Sequence, residues 1–178
     1  MATSKIAFLT LSVLLAGFSL NAAHAQTPAS DESSCRQYVQ RFYNWYSRQT
    51  GDPSEKALVC KDYSFSPDLA AKLREDRAAS AKNPNEVVGL DFDPFVNSQE
   101  QAQRFEVGKI SQKNGSYLAD VYGYWDGKKS SKPDVVPELV LKSGGWQFVN
   151  FHYQASNDPT QENLLSVLKA LSDGRKKR

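Results

Sequence analysis

The chain has 178 residues with 22 lysines and arginines against 20 aspartates and glutamates, a formal net charge of +2. That balance excludes a general nucleic-acid binder, which needs a basic surplus to displace counterions from phosphates. With two cysteines and two histidines, the chain also lacks the ligand supply of a histidine-rich zinc site.

Met1 to Lys5 carries one positive charge, Ile6 to Leu20 is largely apolar, and Ala23 and Ala25 sit in a small-x-small pattern before Gln26. This is the pattern of a secretory signal peptide over 1–25, so the mature protein is expected in the periplasm of a Gram-negative bacterium or secreted. The apolar run is shorter than a membrane span requires, and no later segment approaches that length. Phe18 stands where a lipoprotein would carry its cysteine. Removal of the signal leaves about 150 residues, one domain on length grounds.

Residues 26–33 are small and polar and read as a flexible leader, with order beginning near Ser34. From Cys35 onward Tyr38, Val39, Phe42, Trp45 and Tyr46 recur every three or four residues, the spacing of a helical stripe that stops before Gly51-Asp52-Pro53. Tyr43 falls off that stripe and is the aromatic expected to be exposed. Cys35 and Cys60 lie in an exported chain with no C-x-x-C spacing and no neighbouring histidine, so they are expected to form a disulfide, adding about 3.5 kcal/mol by loop closure. Ser66-Pro67-Asp68 combines a cap, a first-turn proline and an acidic first turn, predicting a second helix to about Lys82.

The segment Leu90-Asp91-Phe92-Asp93-Pro94-Phe95 crowds two carboxylates and two phenylalanines around a proline. A calcium loop fails on spacing, because Val96 and Ala102 occupy the positions that need glycine and glutamate. Asp93-Pro94 reads as a cap leading into a short helix through Gln99 to Gln103, which leaves Asp91 the better candidate for a functional role.

Beyond residue 103 the period changes to two. Strands are predicted near 104–112, 116–125, 135–142 and 146–153, separated by Asn114-Gly115, Asp126-Gly127 and Gly144-Gly145, dipeptides suited to the positive φ of tight hairpins. The last strand, Trp146 to Tyr153, is aromatic or apolar at both parities and is expected to be covered on both sides. In simple alternation His152 shares a face with Trp146, Phe148 and Asn150. Asp158-Pro159 reads as another cap, and Leu164, Leu165, Leu168 and Leu171 form the stripe of a C-terminal helix ending before Gly174. The basic loop Lys128 to Lys132 and a basic tail at 173–178 are expected to be solvated. The domain, residues 34–172, is therefore α+β: N-terminal helices and a C-terminal helix packed on a curved four-stranded antiparallel sheet.

Once the signal is removed, His152 is the one histidine left, and no G-x-S-x-G elbow or phosphate-binding glycine loop occurs. No cofactor and no metal site are expected. Phe42-Tyr43-x-Trp45-Tyr46, Leu90-x-x-Asp93-Pro94-Phe95 with Gln99, and Gly145-Trp146 resemble the exported bacterial family called "domain of unknown function 3828". That family is similar to the cystatin-like, nuclear-transport-factor-2-like superfamily. The resemblance implies helices against a sheet curved into a cone, a fold used by isomerases and dehydratases, by ligand binders and by dimerisation domains.

A non-catalytic domain that binds a protein or small ligand through the cone mouth or sheet face is the leading expectation, with Asp91, Tyr43, His152 and Trp146 as candidate binding residues. A homodimer through the sheet face is a further expectation. The alternatives are a cone-pocket acid/base enzyme using His152 with a carboxylate such as Asp120, or a periplasmic immunity or inhibitor protein.

Overall fold

The computed structural model describes residues 28–83, 85–153 and 162–177; the signal sequence and Asp158-Pro159 lie outside them. Four helices, α1 (Pro28–Tyr46), α2 (Pro53–Val59), α3 (Pro67–Lys82) and α4 (Leu164–Arg175), accompany strands β1 (Ser64–Phe65), β2 (Arg104–Lys113), β3 (Ser116–Trp125), β4 (Lys128–Lys129), β5 (Val136–Lys142) and β6 (Gly145–His152). The class is α+β, but the sheet has six strands and is mixed, in the order β1-β6-β5-β3-β2 with β4 on β3. The four long strands form the expected antiparallel meander. Strand β1 joins β6 in parallel, and it and β4 are two residues long, too short to leave a periodic signal.

Local chemistry explains most boundaries. Ser66 accepts the Leu69 amide at 3.2 Å and Pro67 opens α3, as the cap signature predicts. Asp52-Pro53 carries the same signature and starts α2, the Asp52 carboxylate accepting the Glu55 amide at 3.0 Å. The pair thus both ends the α1 stripe and opens α2. Asn114 and Gly115, and Asp126 and Gly127, all have positive φ, so both hairpins turn where predicted.

Helix α1 begins at Pro28, inside the stretch read as a leader. Asp31 lies in its first turn, where a carboxylate complements the helix dipole, and accepts the Tyr117 hydroxyl from β3 at 3.3 Å. At the other end α4 runs through Gly174 to Arg175, capped by Asn163. Arg175 is part of the fold: its guanidinium pairs with buried Asp76 of α3 at 2.6 Å and donates to the Val88 carbonyl. The other Asp76 oxygen takes the Leu90 amide at 2.9 Å, so one carboxylate joins α3, α4 and the 88–90 loop.

The core lies between α1 and the sheet and is filled with rings. Phe42 of α1 meets Phe148 of β6 at 4.8 Å, and Phe95 meets Phe151 at 4.8 Å, all four fully buried. These contacts put large apolar area out of water and supply most of the drive to fold. Edge strand β2 is shielded by α1: Arg36 donates to the Val107 and Gly108 carbonyls, and Gln40 bonds the Phe105 carbonyl and Val107 amide.

A bulge in β6 corrects the reading of the last strand. Leu139 pairs with Phe148 while Glu138 pairs with Asn150, leaving Val149 as an extra residue. Parity reverses there, so Trp146, Phe148, Phe151 and Tyr153 all face the core. His152 therefore lies on the opposite face from Trp146 and Phe148.

Cys35 and Cys60 are both free thiols, contrary to the predicted disulfide. Cys35 is fully buried on α1 beside Tyr117, and burial pushes its thiol up to about 12. Cys60 ends α2 beside Tyr63 and Tyr38.

Candidate functional site

Two concave regions contain the residues singled out from the sequence. The first is an open groove of about 620 Å³ lined by Gly51, Asp52, Asp91, Phe92, Asp93 and Gln101 among others. Asp91 lies exposed on its wall. Asp93 is committed to the fold: its two oxygens accept the Tyr46 hydroxyl at 2.8 and 2.7 Å, and one also takes the Phe95 amide at 3.0 Å. Burial raises its pKa above 3.8, while the bonds from Tyr46 and Phe95 act the other way. Its backbone closes a turn, the Asp93 amide donating to the Ser98 carbonyl, and Asn97 adopts a φ of 54°. A left-handed residue there ends the turn, so the expected helix through Gln99 to Gln103 does not form.

Asp52 is held at about 2: burial works against the charge, but hydrogen bonds from Arg77, the Glu55 amide and Ser54 overcome it.

Tyr43, expected to be exposed, is fully buried. Helix α1 is covered both by the sheet and by the 92–96 loop, so a residue off the main stripe still lands inside. Its ring packs on Phe105 at 5.0 Å and its hydroxyl donates to the Phe95 carbonyl at 2.7 Å. Trp146 is likewise structural, its ring edge-on to Tyr117 at 4.9 Å and its Nε1 donating to Ser34 at 3.0 Å.

The second region is the sheet face turned away from α1. His152 lines a pocket of about 300 Å³ there with Lys113, Leu118, Val136 and Glu138, and its Nε2 lies 2.8 Å from the Glu138 carboxylate. The enzyme alternative required that convergence, though here it occurs outside the ring-filled space between helix and sheet. The groove and the pocket share no residue, so Asp91 and His152 are not brought together.

Leu118, Asp120, Tyr122 and Tyr124 follow each other along the same face of β3, from that pocket toward the β3–β4 hairpin. At the hairpin end Tyr124 donates to Glu106 at 2.7 Å, Lys129 pairs with Glu106 at 2.6 Å and lies 4.5 Å over the Tyr122 ring, and Arg104 stacks 3.4 Å above Tyr124. The Lys129 bond, followed by the Tyr124 bond, lowers the Glu106 pKa, and the same ion pair raises that of Lys129.

No family model and no curated protein matches the chain. Two solved structures are similar to it. One is the native type VI effector-immunity complex Tae3-Tai3 from Ralstonia pickettii, at 18% identity over 70% of this chain and 98% of that chain, with a TM-score of 0.50. The selenomethionine form of the complex matches at 19% identity over 69% and 98%, with a TM-score of 0.48. At such identity the likeness speaks to fold alone.

The cluster of Arg104, Glu106, Tyr122, Tyr124 and Lys129 escaped the sequence reading. Its signal was the alternation of β3, which sets two tyrosines on the parity opposite to Tyr117, Ala119 and Val121 of the core.

Proposed function

We propose that this chain is an exported, non-catalytic protein-binding domain of the immunity or inhibitor kind, acting in the periplasm. The observation that carries the reading is the outer sheet face: tyrosines, cations and carboxylates held in place there are left over from building the core. Aromatic and arginine side chains on a rigid scaffold are what protein interfaces concentrate. The fold likeness to a chain of an effector-immunity complex points the same way, and the signal-peptide pattern suits an exported role; the motif resemblance to the "domain of unknown function 3828" family bears on the fold.

The test is to find whether a toxin gene lies beside this one and to direct its product to the periplasm, with and without this chain. Restored growth and co-elution of the two proteins in gel filtration are expected. Unrelieved toxicity with separate elution would overturn the reading.

A second reading rests on His152 and Glu138 at 2.8 Å in one pocket, an arrangement able to move a proton. Isomerase or dehydratase turnover lost in both His152→Gln and Glu138→Gln would shift the assignment there.

A further inference from the structure

The hairpin end of the outer face is built more firmly than solvent exposure requires. Tyr122 lies against the backbone of Gly108: a Cβ at 108 would come 2.6 Å from its ring. Glycine at the β2 irregularity between Val107 and Ile110 therefore gives the ring its seat. Tyr124 is fixed at its hydroxyl by Glu106 and covered on its face by Arg104. Lys129 bridges the two halves, bonded to Glu106 and lying over Tyr122. Side chains ordered before a partner arrives lose less entropy on binding.

The charges in this cluster are unequally spent. Glu106 is occupied by Lys129 and Tyr124. Arg104 makes no ion pair among the described residues, and stacking on a ring leaves the N–H edges of its guanidinium open to a carboxylate fork. Lys128 and Lys132, exposed in the adjoining hairpin, likewise make no ion pair among the described residues. Asp120 and Asp126 also make no ion pair among the described residues, so Arg104, Lys128 and Lys132 stand against two carboxylates and the open charge around the two rings is positive by one.

Resting on the protein-binding reading, we infer that the Arg104–Tyr122–Tyr124–Lys129 cluster is a docking patch for an acidic segment of a partner protein, with Arg104 taking a carboxylate in two-pronged fashion. A fixed guanidinium over an aromatic floor suits a planar carboxylate on a peptide. Attraction to a lipid surface would need no more than the loose lysines.

The mature chain, isotope-labelled, is titrated with a synthetic glutamate-rich peptide, its lysine counterpart and phosphatidylglycerol vesicles, and amide shifts are followed. Salt-sensitive shifts confined to 104–106, 122–124 and 128–132 are expected with the acidic peptide alone. Arg104→Ala should weaken that binding about tenfold or more, and Arg104→Lys should recover little of it, because an ammonium cannot fork. An unchanged melting temperature checks that both variants are folded. Shifts elsewhere, equal binding by Arg104→Ala, or vesicle binding in place of peptide binding would each overturn the inference. Growth protection that survives Arg104→Ala would keep the proposed function and remove this surface; peptide docking here without protection would do the reverse.

Discussion

The loop around Asp93 and the outer face of the sheet hold the same kinds of side chain, tyrosines beside carboxylates, put to opposite uses. At the loop, Tyr43 donates to the Phe95 carbonyl, Tyr46 to the Asp93 carboxylate and Tyr153 to the Pro94 carbonyl, so three buried phenols pin three consecutive residues. Burial raises the pKa of all three phenols, so they stay protonated and keep donating. On the sheet face the tyrosines are half-exposed and their bonds run to other surface groups. A carboxylate that looks catalytic in sequence can thus be consumed in holding a loop, while side chains the core does not use sit in an ordinary alternating strand. Substitutions in the first set should register in stability, and those in the second in binding.

The largest effect is expected at Asp76, the buried carboxylate of the wiring. Asp76→Ala takes from Arg175 its closest carboxylate, leaving Glu75 at 3.8 Å and the Val88 carbonyl, and leaves the Leu90 amide without an acceptor. Breaking such a pair should cost about 3 kcal/mol or more in urea unfolding. A loss under about 1 kcal/mol would mean that α4 is not anchored through Asp76 and that the contrast between wired and free carboxylates fails. Tyr46→Phe comes next, at about 2 kcal/mol near neutral pH, because the partly buried Asp93 carboxylate loses a charge-assisted bond. Asp93 titrates above its unfolded value, so its ionisation lowers stability as pH rises through the folded pKa, and the Tyr46 bond offsets that cost. The penalty of Tyr46→Phe should therefore shrink as pH falls toward 3; a penalty independent of pH would detach Tyr46 from the charge.

Asp52→Asn should cost about 1 kcal/mol at pH 7, a figure discounted for the solvent exposure of the Asp52–Arg77 pair. Asparagine can keep the helix cap and loses the ion pair. The folded pKa, about 2, lies below the unfolded 3.8. The contribution is thus complete above pH 4 and lost as pH falls toward 2, where the variant and the parent should unfold alike.

Much of the fold was legible because it follows from local chemistry. Ser66-Pro67 and the two hairpins with positive φ are set by residues adjacent in sequence, as is the stripe from Cys35 to Tyr46. What escaped depends on contacts far apart in the chain. The Val149 bulge moves His152 away from Trp146, and alternation cannot count an extra residue it has no reason to expect. Tyr43 is buried because a loop fifty residues later closes over it. Asp93 is a structural carboxylate, as expected, but its partner, Tyr46, lies on another element, and the left-handed Asn97 ends the turn before the predicted helix can form. The outer-face cluster was hardest to see, because two tyrosines at alternate positions of a strand also fit a plain two-sided sheet.

Arg104 gives the finest separation between the two regions. Its guanidinium lies on Tyr124 at the surface, and the residue is exposed. An exposed cation over a ring contributes at most about 0.5 kcal/mol here, since water solvates the cation nearly as well once the stack is lost. Arg104→Ala should thus leave the urea midpoint almost where it was, in contrast to Asp76→Ala and Tyr46→Phe, even though all three remove a polar group beside an aromatic or a carboxylate. A midpoint shift as large as that of Tyr46→Phe would place Arg104 among the structural residues and bring the sheet face under the same rule as the loop. An unmoved midpoint leaves the ordering of Arg104 to be explained by what the face receives, because a side chain that adds so little to folding gains nothing for the fold by being held in one place.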